Sequence, residues 1–319
     1  MAPFAILAVT IKPEEVVCLK DPQEVLDEVR DLVFLMFPQF DFQPVEKVFH
    51  DIVDLFHGRH PGYRKCTTRY HNLNHTTDCF LVMARILHGA FLNGVILNER
   101  NLALGLIAAL LHDTGYIQAQ GDDSGTGGKY TLVHVERSIE FMERYLRAQG
   151  YSGADLQTCS NFLRSTGLEV KPEEIHFESW EQEMLGRTLE TADLLGQMAD
   201  ENYLERLPFL YCEFQEGGVL GFQDELDLLK KTPQFWEVCQ LRIGPELENV
   251  GRYLRDHFWH RWGIDQDLYR QAIDQNIKCL ELILADHQSD YQNYLGGAGL
   301  QEIIRKLTFR TGEKNPAKR

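Results

Sequence analysis

The stretch Asn98–Asp113, NERNLALGLIAALLHD, constrains the fold more than any other part of the chain. From Asn98 or Asn101 it reads as a helix that is apolar almost all the way round, and such a helix belongs in the middle of a bundle rather than on its surface. The run ends on His112 and Asp113. Two hydrogen-bonding side chains at the end of a buried helix need partners, because polar groups taken out of water without them are costly. A central helix that delivers a His-Asp pair into an apolar interior therefore predicts a buried polar site as well as an all-α fold.

The rest of the chain reads as further helices. Asp21-Pro22-Gln23-Glu24 is a helix start, with Asp as N-cap and Pro in the first turn, and Pro38 ends that helix. A second helix is expected from about Gln43 to Gly58, and a third is opened by Tyr70-His71-Asn72 and reaches about His88. Gly115 to Lys129 holds five Gly and two Asp and reads as a flexible loop, a candidate lid. Helices follow at about 131–149, 153–165 and 177–200, then a segment broken at Pro208, and then 223–231, 234–240, 244–261, 266–286 and 298–308. The expected architecture is all-α: a compact multi-helix bundle in which residues 21–310 form one domain, preceded by an arm (1–20) and followed by a polar tail (311–319). Eighteen Phe, 12 Tyr and 4 Trp supply a sizeable core for that domain.

Charge and cysteine content narrow the function. A formal charge of -16 argues against general nucleic-acid binding, which needs a positive face, yet allows a small phosphate ester whose charge is met by bound cations. The seven cysteines are scattered, without a CxxC, and are read as buried thiols of a reducing compartment. MAPFAILAV lacks a basic region before it and is too short to span a bilayer, so a cytoplasmic protein with no membrane segment is expected.

His112 and Asp113 acquire meaning beside two other pieces. In YHNLNHTTD, His71 and His75 lie four apart, which on a helix is one face. In TADLL, Asp193 lies on another amphipathic stretch. Imidazole nitrogen with carboxylate oxygen suits Zn, Fe or Mn, while carboxylate and water suit Mg or Mn. The set His75, His112, Asp113 and Asp193 would hold one ion, and Asp113, through its second oxygen, would share another in a two-metal centre. His71, one turn from His75, is positioned either as a ligand or as a general acid. Glu136, early in the helix after the glycine-rich loop, is a candidate to hold a water or orient a histidine. Tyr70, Lys129, His134 and Gln197 are the expected substrate contacts.

The combination YHNLNH, LHD, VERS and TADLL resembles the HD-domain metal-dependent phosphohydrolases. The YHNxxH form is similar to the catalytic domain of class I cyclic-nucleotide phosphodiesterases and to related bacterial HD proteins. The resemblance spans about residues 70–200. It implies that His75, His112, Asp113 and Asp193 are metal ligands, that two divalent ions bind, and that His71 protonates the leaving oxygen while a metal-activated hydroxide attacks phosphorus. Glu136 matches a glutamate near that water. The function so implied is a phosphodiesterase acting on a cyclic nucleotide or a similar small diester, with a homodimer compatible with the scaffold. The alternatives are a nucleotide phosphomonoesterase, a di-iron oxygenase (whose second iron would need His134 and His176) and a non-catalytic nucleotide sensor.

Overall fold

A computed structural model describes residues 20–312, with the exception of Leu168. The expected arm at 1–19 and the tail from 313 onward lie outside the described residues. Twelve α-helices carry the fold, and no strand occurs among the described residues. They are α1 (Pro22–Met36), α2 (Gln43–Phe56), α3 (Leu73–Leu92), α4 (Glu99–Leu111), α5 (His134–Ala148), α6 (Gly153–Ser165), α7 (Trp180–Ala199), α8 (Tyr203–Gly217), α9 (Glu225–Leu241), α10 (Tyr253–Trp262), α11 (Leu268–Asp286) and α12 (Gly297–Gly312). An isolated antiparallel bridge joins Tyr63 to Ala119. None of the described helices is long and apolar enough to cross a membrane.

As its composition predicts, α4 is central: every residue from Leu102 to Leu111 is buried. It lies against α2, α3, α6 and α7. Helix α3 is its equal, packed on α1, α4, α7 and α10 and buried from His75 to Ala90 except at Asp78. The α3–α10 crossing depends on Gly89, where a Cβ would lie 1.9 Å from the Tyr253 carbonyl oxygen. The two central helices start on asparagine caps. Asn72 accepts from the Asn74 and His75 amides, and Asn98 accepts from the Arg100 amide, so neither helix opens with its first amides wholly unmet.

Several expected boundaries move. Helix α8 runs through Pro208, and α9 runs through Pro233 where two helices were expected. A proline removes one i→i−4 hydrogen bond. Buried Leu204 and Leu207 on one side, and Leu229 and Trp236 on the other, hold the flanking turns against the core and carry the helices across. The helix expected at 244–261 is instead a π-turn at Arg242–Glu246, two left-handed residues (Glu248 and Asn249) and a 3-10 turn, before α10 begins at Tyr253. Helix α12 includes residues 311 and 312, so the tail begins later than expected.

Candidate metal centre

The helix geometry inferred for YHNLNH needs correction first. Because Asn72 is the N-cap of α3, His71 lies before the helix and shares no helical face with His75. The two rings are nevertheless 5.7 Å apart, because the chain turns at the cap. His75 comes from the first turn of α3, His112 caps the end of α4, Asp113 follows it, and Asp193 comes from α7. The turn after Asp113 is seated on α5. Gly115 donates its amide to Ser138 Oγ (2.8 Å), and Ser138 Oγ donates to the His112 carbonyl (2.5 Å). A Cβ at Gly115 would stand 2.0 Å from the His134 carbonyl oxygen. The serine of VERS thus ties the His-Asp turn to the helix that carries His134.

The four expected ligands converge. His75 Nε2 is 3.0 Å from Asp193 Oδ1 and 3.2 Å from Asp113 Oδ2. His112 Nε2 is 3.5 Å from Asp113 Oδ2 and 3.7 Å from Asp193 Oδ1. The two Nε2 atoms are 3.2 Å apart. Two nitrogens bound to one ion at about 2.1 Å would themselves be roughly 3.0–3.4 Å apart, so this spacing is that of shared coordination. His75, His112 and Asp193 form the one group with metal-ligand spacing among the described residues.

Hydrogen bonding points the same way. His112 Nδ1 lies 2.8 Å from the Ala109 carbonyl, to which it donates, leaving the Nε2 lone pair turned to the centre. Asp113 Oδ2 is buried without a hydrogen-bond partner, although two imidazoles stand close to it. An orphaned carboxylate oxygen in such a place is what a cation would satisfy. Burial alone would lower the His75 pKa, but the Asp113 and Asp193 carboxylates override it and push it up to about 10. Asp113 is affected in the opposite sense: burial works against its charge, yet His112, His75 and His71 hold it well below the usual carboxylate range. The two carboxylates thus draw positive charge to this point, held as a proton on His75 when no ion is bound, and a divalent ion in its place would supply that charge without the proton. The residues present therefore fit a metal.

A second set of groups borders this cluster. His134 is on the site, with Nε2 4.0 Å from Asp113 Oδ1, the carboxylate oxygen turned away from His75. Its Nδ1 donates to the Thr131 carbonyl (2.7 Å), and burial holds its pKa below the ordinary histidine value. Tyr116, buried, stacks on both outer histidines, 4.4 Å from the His71 ring and 4.7 Å from the His134 ring. Tyr70 donates its hydroxyl to Gln197 Oε1 (3.0 Å), and Gln197 Nε2 donates to the Asp193 carbonyl (3.1 Å), so both brace the turn of α7 that presents Asp193.

Two expected residues are not at the site. Glu136 points to solvent, its side chain 67% exposed and 3.8 Å from Arg164. Two positions along α5 from His134, it lies on a different face of that helix. Lys129 is engaged in the glycine-rich segment, bonded to Asp122 Oδ1 (2.5 Å), the Ser124 carbonyl (2.6 Å) and Ser124 Oγ (3.0 Å). That segment is pinned rather than loose: buried Gln118 donates to the Asp122 and Ser124 carbonyls, and Thr126 bonds Glu216 of α8. His176 is exposed, as its sequence context implies, and is no ligand.

The carboxylate that serves the site was not among the expected residues. Glu213 of α8 is buried, and its Oε2 lies 2.7 Å from His71 Nδ1. Its Oε1 accepts from the Arg69 amide (2.8 Å) and the Tyr70 amide (2.7 Å). Held by the Arg69 and Tyr70 amides, Glu213 fixes the tautomer of His71 and leaves its Nε2 unengaged by this contact. It lies 142 positions along the chain from His71. A buried glutamate in CEFQEGG carries no local signal of its partner.

Fold and site together define an all-α bundle with a buried His2Asp2 cluster and an adjoining His-Glu pair. A family model described as Npun_R2479-like matches residues 122–255, less than half of the chain. The matched part includes His134, Asp193 and Glu213 and omits His71, His75, His112 and Asp113. No curated protein and no solved structure matches the chain.

Proposed function

We propose that the chain is a metal-dependent phosphohydrolase of the HD type, acting on a small, nucleotide-like phosphodiester. The observation that carries this reading is the convergence of His75, His112, Asp113 and Asp193 on one point, with the His71–Glu213 pair one ring away. His75, His112, Asp193 and Asp113 Oδ2 would hold one divalent ion, and Asp113 Oδ1 with His134 would face a second. Zn, Fe or Mn suits the first position, and Mg or Mn suits a second completed by water. Such ions supply Lewis acidity, acidifying water and offsetting charge on a phosphoryl group.

The chain's own residues account for the rest. With Nδ1–H held on Glu213, His71 in its charged form presents an Nε2 proton toward the centre. An alkoxide is a poor leaving group, so a donor at this place matters most for a diester of an alcohol. The Glu213 carboxylate, by fixing Nδ1, prevents the ring from flipping. Tyr116, stacked on His71, holds the ring plane.

The test combines metal analysis with a hydrolysis panel of cyclic nucleotides, nucleoside monophosphates and linear diesters. Wild-type protein is expected to retain divalent metal and to prefer diesters, and Asp113→Asn is expected to lose both metal and turnover. Turnover unchanged in Asp113→Asn would overturn the metal reading, and a preference for monophosphates would replace the diester with a phosphomonoester.

A further inference from the structure

Outside the metal centre, a cavity of about 380 Å3 lies between the start of α3 and the α7–α8 junction. Its volume is within the range of small-molecule sites, roughly 300–1,000 Å3. Six charged side chains line it: Lys20, Arg69, Asp78, Asp200, Glu201 and Arg206. Four of them are spent on each other. Lys20 pairs with Glu201 at 2.7 Å, and Arg206 pairs with Asp200 while also bonding the Tyr70 carbonyl. Two remain, the Arg69 guanidinium and the Asp78 carboxyl group.

Arg69 has no carboxylate within 4.0 Å among the described residues. Its guanidinium lies flat on the Phe209 ring, 3.4 Å from the centroid, which fixes its position while leaving its N–H edge available. Asp78, on the second turn of α3, has neither a cation within 4.0 Å nor a hydrogen-bond donor among the described residues. Burial and the neighbouring Asp200 push its carboxyl up to about 8, so at neutral pH it holds a proton that an ammonium placed beside it would displace. The two side chains border the same space but do not meet. A guanidinium and a carboxyl group left over on one cavity are complementary to a molecule bearing a carboxylate and an ammonium.

We propose that this cavity binds a small zwitterion, with its carboxylate on Arg69 and its ammonium on Asp78. Each end would make a charge-assisted contact with a group that has no ionic partner now, and neither contact breaks an existing pair. The neutral balance of the lining also disfavours a simple ion, because an anion would face Asp200 and Glu201, and a metal cation would face Arg206 and Lys20. Binding here does not rest on the reaction proposed for the metal centre.

The test is calorimetric titration of the full chain with ω-amino carboxylic acids, from glycine to 6-aminohexanoate, beside acetate, hexanoate and hexylamine as single-ended controls. One chain length is expected to bind saturably, with the controls weaker by about tenfold or more, the worth of one charge-assisted contact. Asp78→Asn and Arg69→Met should each impose a similar loss. Arg69→Lys, which keeps the charge but not the stacked fork, should give a smaller one. Asp113→Asn, which removes a metal ligand, should leave the affinity unchanged. Failure of every zwitterion to bind wild-type protein, equal affinity for a single-ended control, or undiminished binding by Asp78→Asn would each overturn the proposal.

Discussion

Replacing Glu213 by Gln tests the site at the point the structure adds to the sequence. Glutamine fills the same volume, and its carbonyl oxygen can go on accepting from the Arg69 and Tyr70 amides, so the segment before α3 keeps two of its anchors. What is lost is the charged contact at 2.7 Å to His71 Nδ1. Hydrogen bonds to charged groups contribute about 1.5–3 kcal/mol, and each 1.4 kcal/mol is about tenfold in rate. The expected loss in kcat/KM is therefore about tenfold to a hundredfold, provided the proton on His71 matters in the transition state. The assay compares a diester of an alkyl alcohol with one of a nitrophenol, whose leaving oxygen needs no proton. Glu213→Gln should depress the first by the full amount and the second by a few-fold, with an unchanged melting temperature showing that the fold is kept. Equal losses on both substrates, or no loss on the alkyl diester, would refute the claim that Glu213 acts through a proton-donating His71.

Three further outcomes follow from particular contacts. Glu136→Gln should leave turnover and metal content unchanged, because its side chain faces solvent; a loss comparable with that of Glu213→Gln would show that the site is wrongly drawn. Gly89→Ala should destabilise the fold by about 3 kcal/mol or more in urea denaturation, since its Cβ would stand 1.9 Å from the Tyr253 oxygen and force α3 from α10; a change below about 1 kcal/mol would contradict that packing. Stability should also fall with acid. His88 and His257 are buried with their Nδ1 atoms 3.1 Å apart, and burial, together with nearby positive groups, pushes His88 down to about 4 and His257 lower still. Both are neutral when folded, while the unfolded chain takes up protons below about pH 6.5. Their contribution is complete above that pH and is lost as the pH falls toward 4, on the order of 3 kcal/mol from His88 alone at about 1.4 kcal/mol per unit. A urea midpoint that stays flat from pH 7 to 5 in wild-type protein would be inconsistent with this pairing.

The sequence by itself determined the helical fold and pointed to the four residues that meet in the buried cluster. An apolar run such as Leu102–Leu111 has no stable place except inside a bundle, and residues ending such a run are delivered wherever the helix points. His112 and Asp113 were legible for that reason, and His75 and Asp193 through the pieces YHNLNH and TADLL that accompany them. Local sequence was less reliable where packing outweighs propensity. Pro208 and Pro233 are absorbed by buried neighbours, and an asparagine cap removes His71 from the helix it seemed to begin. Only the tertiary structure decided which groups serve the ligands. Glu213 reaches His71 across 142 positions, Glu136 turns away although it is close in sequence to His134, and Lys129 is consumed by its own loop. A hydrogen bond depends on distances of about 3 Å between atoms, and for residues on separate helices that distance is set by how the helices pack, not by any periodicity within them.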